Sequence, residues 1–233
     1  MDTLLQQYLN KLKSSVSQMA GLVEESILIS TKALARKDLS GLPRVFELEN
    51  QINEFHKQID RDCFKLLARQ SPVASDLRLI IVSTKMSVDL ERMGDLACTI
   101  SYSLEDYFQH SPLMMANEIP KMADLVRMMV RKGLDAFIQN DENLANEVLA
   151  MDESVDSYRD TLSDQVRLTL KEGRADVDAS LNLFTIIRNL ERLGDHATNI
   201  AEEVIFLISG QDVRHSGATF KNGKTIIGGN NVE

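Results

Sequence analysis

Leu90-Glu91-Arg92-Met93-Gly94-Asp95 and Leu190-Glu191-Arg192-Leu193-Gly194-Asp195 lie a hundred residues apart and differ at one position. Both sit in stretches whose apolar residues recur every three to four positions, the period of an amphipathic helix. The chain therefore reads as an internal duplication. Around the first copy a seam runs Leu79, Ser83, Met86, Leu90, Met93, Ala97, Ile100 and Leu104; around the second it runs Leu183, Ile186, Leu190, Leu193, Ala197, Ile200, Val204 and Leu207. Alternating steps of three and four place each set on one side of a helix, facing a core.

The rest of each half repeats as well. An offset of 103 residues aligns Val16 with Ile119, Met19 with Met122, Val23 with Val126, Leu34 with Phe137, Glu49 with Asp152, Ile52 with Val155 and Asn53 with Asp156. The third helices align at 100, because Gln70-Ser71-Pro72-Val73-Ala74-Ser75 is longer than Gly173-Arg174-Ala175-Asp176. Loop insertions of this kind leave helix packing intact. With four prolines and almost no alternating β-branched runs, the pattern predicts an all-α fold of two tandem, duplicated three-helix bundles. The six long helices are expected at about 30 residues each. The first runs from about Thr3 to Arg36, Asp38 restarts the chain as a second helix to about Arg69, and Ser71-Pro72 fits the start of a third, as cap and first helical residue. Residues 1–112 form the first bundle, 113–209 the second, and 210–233, rich in Gly, Asn, Lys and Thr, a flexible tail. A short strand from Thr225 to Ile227 is the one regular element the tail could hold.

A formal charge of −9 and the absence of a basic run exclude a general nucleic-acid binder. Cys63 and Cys98 lack CxxC pairing and read as reduced helical cysteines. No cationic leader precedes an apolar segment, and no apolar run is long enough to span a bilayer, which fits a soluble cytoplasmic protein.

Against the seam, Glu91 and Asp95 fall on the outward side, as do Glu191, Asp195 and Asn199, each four residues on. A solvated charged face explains most helical acids. Three details favour another reading. Acids at i and i+4 repel by about 0.2–0.5 kcal/mol, and here they do so twice. Gly94 and Gly194 each cost about 1 kcal/mol relative to alanine inside a helix, which implies a close approach to the backbone. The second helix of each half adds Glu49 with Asn53, or Asp152 with Asp156, again at i and i+4. Convergence of two such stripes makes an anionic site whose hard oxygen donors select Mg²⁺, Ca²⁺, Mn²⁺ or iron over copper. His196, turned about 100° from Asp195, reads as an interfacial histidine. Arg92 and Arg192, three residues before Asp95 and Asp195, either steady those acids or bind an anion.

The run Arg69-Gln70-Ser71-Pro72-Val73-Ala74-Ser75-Asp76-Leu77-Arg78, the first Leu-Glu-Arg-Met-Gly-Asp, and Asn189 to Glu203 resemble the PhoU family of bacterial phosphate-signalling proteins. The likeness covers residues 1 to about 209 in order. It implies a cytoplasmic, homodimeric accessory protein, not an enzyme, that negatively regulates the phosphate-starvation response and phosphate uptake. As an adaptor it links the ATPase subunit of the phosphate ABC transporter to the sensor histidine kinase of the phosphate regulon, reaching the membrane only through these partners. The resemblance also implies multinuclear surface clusters of iron, zinc, manganese or magnesium on the Glu/Asp-x-x-x-Asp motif. Its matches are Glu91 with Asp95, Glu191 with Asp195, and Asp152 with Asp156, with Glu49 and Asn53 in the equivalent place. Thr99 stands where the second half has Asn199, so the first site is poorer in ligands. The rival readings are a di-metal carboxylate bundle enzyme and a structural scaffold. The former uses inward Glu-x-x-His, and neither Glu91 nor Glu191 is followed by histidine three residues on.

Overall fold

The structure, a computed structural model, describes residues 3–69, 72–110, 118–211, 213, 219–221 and 224–226. Six helices follow in order: α1 (Thr3–Arg36), α2 (Leu42–Arg69), α3 (Ala74–Tyr107), α4 (Ile119–Gln139), α5 (Glu142–Lys171) and α6 (Val177–Ser209). The fold is all-α, as the periodicity predicts. α1, α2 and α3 pack on one another, and so do α4, α5 and α6. The two groups meet through α3 against α6 and α1 against α4. Among the described residues no helix is long and apolar enough to cross a membrane.

Apart from partly buried Leu79 and Leu207, every residue of the two seams is buried, and all six helices feed one continuous apolar core. Each fully buried Leu, Ile, Val or Met in it contributes about 1.5–3 kcal/mol of transfer free energy, offset by the entropy of ordering the chain. α3 and α6 run antiparallel, since Arg78 reaches Leu207, Lys85 reaches Glu203, Asp89 reaches His196, and Asp106 reaches Asn182. Arg78 Nε donates to Leu207 O at 3.2 Å, satisfying a carbonyl in the last turn of α6. The helix closes with Gly210 at φ 73°, a left-handed position that glycine adopts without strain.

Several boundaries depart from expectation. Asp38 does not open α2: its Oδ1 accepts from Ser40 N at 3.0 Å in a turn, and the helix begins at Leu42. Its counterpart Asp141 does cap α5, accepting from Asn143 N and Leu144 N at 2.8 and 3.4 Å. Pro72 precedes α3 by two residues, because Val73 is still extended at φ −114°, ψ 146°; Ser71 lies outside the described residues. At 21 residues α4 is shorter than its counterpart, ending at Asn140 in the left-handed region. The boundary between 112 and 113 also lies outside the described residues. In the segment read as a flexible tail, Thr219–Lys221 (β1) pairs antiparallel with Lys224–Ile226 (β2), Thr219 opposite Ile226. Of the strand expected at 225–227, Thr225 and Ile226 lie in β2, and Ile227 lies outside the described residues.

Candidate acidic stripes on paired helices

Gly94 and Gly194 lie where the paired helices of each half meet. A Cβ on Gly94 would stand 3.1 Å from Ile52 Cδ1, and one on Gly194 would stand 3.4 Å from Val155 Cγ1. The close approach expected at each glycine is therefore made by α2 at Gly94, whereas at Gly194 α5 comes only to ordinary contact distance. This packing sets the acids of α2 beside those of α3, and those of α5 beside those of α6.

In the first half Glu91 is partly buried and Asp95 exposed. Burial pushes the Glu91 carboxyl above its usual range, helped by the charges of Asp95 and Glu49 and opposed by His56 and Arg92. Asn53 Nδ2 donates to Glu49 Oε1, so the amide is already engaged on its own helix. Cys98 belongs to the same neighbourhood. Burial, then the charges of Glu49 and Asp95, push its thiol up to about 12. His56 places Nδ1 3.1 Å from Ser87 O and Nε2 3.6 Å from Asp60 Oδ2.

In the second half Asp152 is pushed up to about 6 by burial and then by Asp156, Asp195 and Glu191, with Arg159 opposing. Asp195 is raised by burial and then by Glu191 and Asp156. These four acids share one field, as their spacing predicts. At its centre is a residue the sequence reading passed over: Arg159 Nη1 donates to Asp156 Oδ1 at 2.8 Å and to Glu191 Oε1 at 2.7 Å, tying α5 to α6. Its spacing to Asp156, at i and i+3, is the signal that could have found it.

Three expected residues stand elsewhere. Asn199 turns to α3, donating from Nδ2 to Asp89 Oδ1 at 3.2 Å. Arg92 and Arg192 are exposed, and among the described residues neither pairs with Asp95 or Asp195. His196 is buried between α6 and α3, its Nδ1 2.8 Å from Asp89 Oδ1, the interfacial place expected of it.

Both stripes offer the oxygen donors that a hard cation requires, and in the second Arg159 already offsets part of the negative charge. Glu49, Glu91 and Asp95 would hold it in the first half, and Asp152, Asp156, Glu191 and Asp195 in the second. Among the described residues, though, the only three His, Cys, Asp or Glu side chains whose ligand atoms all lie within 4.8 Å of one another are His110, Asp176 and Asp178, at the facing ends of α3 and α6.

Comparison with known proteins agrees with this architecture. The family model described as PhoU domain matches twice, at residues 16–104 and 119–204. A Pseudomonas aeruginosa protein named phosphate-specific transport system accessory protein PhoU homolog is 39% identical, over 91% of this chain and 88% of its own. The Escherichia coli phosphate-specific transport system accessory protein PhoU is 31% identical, over 90% of this chain and 87% of its own. Among solved structures, PhoU from P. aeruginosa superposes with a TM-score of 0.84 at 36% identity, covering 88% of this chain and 99% of that one. The phosphate transport system regulatory protein PhoU from Streptococcus pneumoniae gives 0.83 at 28% identity, covering 90% and 99%. Matched in both halves and along most of its length, the chain belongs to the PhoU family.

Proposed function

We propose that this chain is a cytoplasmic, non-enzymatic negative regulator of phosphate uptake and of the phosphate-starvation response. It acts as a homodimeric adaptor between the ATPase subunit of a phosphate ABC transporter and a sensor histidine kinase. The observation that carries this reading is the near full-length likeness, through both halves, to proteins named as accessory to phosphate-specific transport. Binding does the work: the conformation of the transporter sets which partner the adaptor holds, and so phosphate supply sets kinase output. The acidic stripes add a second element, a surface that takes iron, zinc, manganese or magnesium and fixes α2 to α3 and α5 to α6.

Deletion of the gene tests the regulatory part. Alkaline phosphatase is expected to be made constitutively at high phosphate in the deletion strain, and normal repression there overturns the reading. The metal part is separate. Replacing Asp95 and Asp195 together by alanine should lower bound metal in the purified protein, and unchanged stoichiometry would remove that part while leaving the adaptor role standing.

A further inference from the structure

The two stripes differ in more than their number of carboxylates. Under the offset of 103 that aligns α2 with α5, His56 corresponds to Arg159. In the first half the imidazole nitrogens lie against Ser87 O and Asp60 Oδ2. In the second, one guanidinium nitrogen is shared between Asp156 of α5 and Glu191 of α6, at 2.8 and 2.7 Å, while Nε and Nη2 each lie 3.0 Å from Asp160 Oδ1. A nitrogen so placed bridges two carboxylates on different helices, two of the four that would hold a cation there. Charge-assisted hydrogen bonds of this length are among the stronger polar contacts a protein makes. Arg159 is also tethered, so it competes at a local concentration no free ion matches.

Building on the metal reading above, we propose that Arg159 is a tethered cation occupying the second stripe, so that a divalent ion binds there only by displacing the guanidinium. The first stripe, with histidine at the corresponding place, takes the ion without that competition. Counting donors alone ranks the second half as the stronger site; the tethered cation reverses the order. Ion binding in the second half also frees a guanidinium at the α5–α6 surface, so that occupancy alters the charge this face presents.

The test is a Mn²⁺ titration of chelator-stripped full-length protein, followed by loss of the free-ion electron paramagnetic resonance signal. Wild type should show a tighter and a weaker class of sites. R159Q should tighten the weaker class by roughly 10-fold and leave the tighter one unchanged, a change that corresponds to about 1.4 kcal/mol. H56R, which places an arginine in the first half, should weaken the tighter class by a similar factor. Binding to wild type that neither variant alters overturns the displacement and leaves the metal reading intact. Absence of Mn²⁺ binding from wild type and both variants overturns the metal reading and the displacement together. Circular dichroism of each variant confirms the helical fold before titration, and R159K gives a second route at the same position, since lysine keeps the charge but loses the bridging fork and should fall between wild type and R159Q.

Discussion

His196 Nδ1 lies 2.8 Å from Asp89 Oδ1, joining α6 of one half to α3 of the other through two buried side chains. Asn199 donates to the same carboxylate oxygen, and one turn further on Lys85 reaches the buried carboxylate of Glu203 at 3.0 Å. A line of polar contacts thus runs through an otherwise apolar contact between the halves. Apolar seams tolerate sliding, whereas paired polar groups are satisfied in one register only.

Removing both partners should therefore cost less than the two single removals added together. H196A strips a donor from buried Asp89 and is expected to destabilise by about 1–3 kcal/mol. D89A should cost a similar amount, and the double variant clearly less than the sum, with a coupling of about 1 kcal/mol or more. Urea unfolding of the four proteins measures this directly, and strict additivity would show that the contact does not matter to the register.

Gly94 and Gly194 should part company when replaced by alanine. Both gain helix propensity of about 1 kcal/mol. At Gly194 the new Cβ meets Val155 Cγ1 at 3.4 Å, an ordinary contact, so G194A should raise the melting temperature by about 2–4 °C. At Gly94 the Cβ stands 3.1 Å from Ile52 Cδ1, and Ile52 must shift within a packed core. G94A should accordingly melt below G194A. Equal gains at both positions would mean that the tighter contact in the first half has no energetic weight.

The helices and their buried faces were legible because hydrophobic periodicity is a local property: Leu90, Met93, Ala97 and Ile100 are buried as their spacing requires. The duplicated motif located the paired acids for the same reason. What escaped depends on how one helix is rotated against another. Each i+4 step overshoots a full turn by about 40°, so Asn199, eight residues beyond Glu191, has swung about 80° around α6. It meets Asp89 instead of continuing the acidic stripe. Arg159 shows in sequence only its i+3 spacing to Asp156, because only the packing of α5 on α6 brings Glu191 within its reach. Asp38 and Asp141 are equivalent in sequence, yet only the second caps a helix, since the first is satisfied by Ser40 before its helix begins.

Asp152 should make the metal-free protein pH-sensitive. Burial and three neighbouring carboxylates raise it from an ordinary 3.8 to about 6, so the folded state keeps a proton that the unfolded chain gives up at lower pH. Between those values stability falls as pH rises. D152N carries no charge in either state and escapes the loss. In chelator-treated protein it should melt above wild type at pH 7, by about 2–4 °C for an effect of about 1 kcal/mol after allowance for solvent screening of a half-buried group. The two proteins should converge by pH 4. A gap that stays constant from pH 4 to pH 8 would sink the assignment of this penalty to Asp152.

Cys98 gives the first stripe a reporter. Burial, together with the charges of Glu49 and Asp95, raises its thiol to about 12. The nucleophile is the thiolate, so alkylation of the folded protein at pH 8 should be at least about 100-fold slower than in urea. A C63S background removes the other cysteine, leaving Cys98 alone to report. E49Q deletes one of the two charges and should speed the folded-state reaction. A cation held by Glu49, Glu91 and Asp95 would offset the same charges, so adding Mn²⁺ should accelerate alkylation in C63S and do less in C63S/E49Q. Iodoacetamide kinetics followed by mass spectrometry measure all of these rates. If E49Q reacts no faster than its parent, burial alone controls the thiol, and the charge of the first stripe does not extend to Cys98.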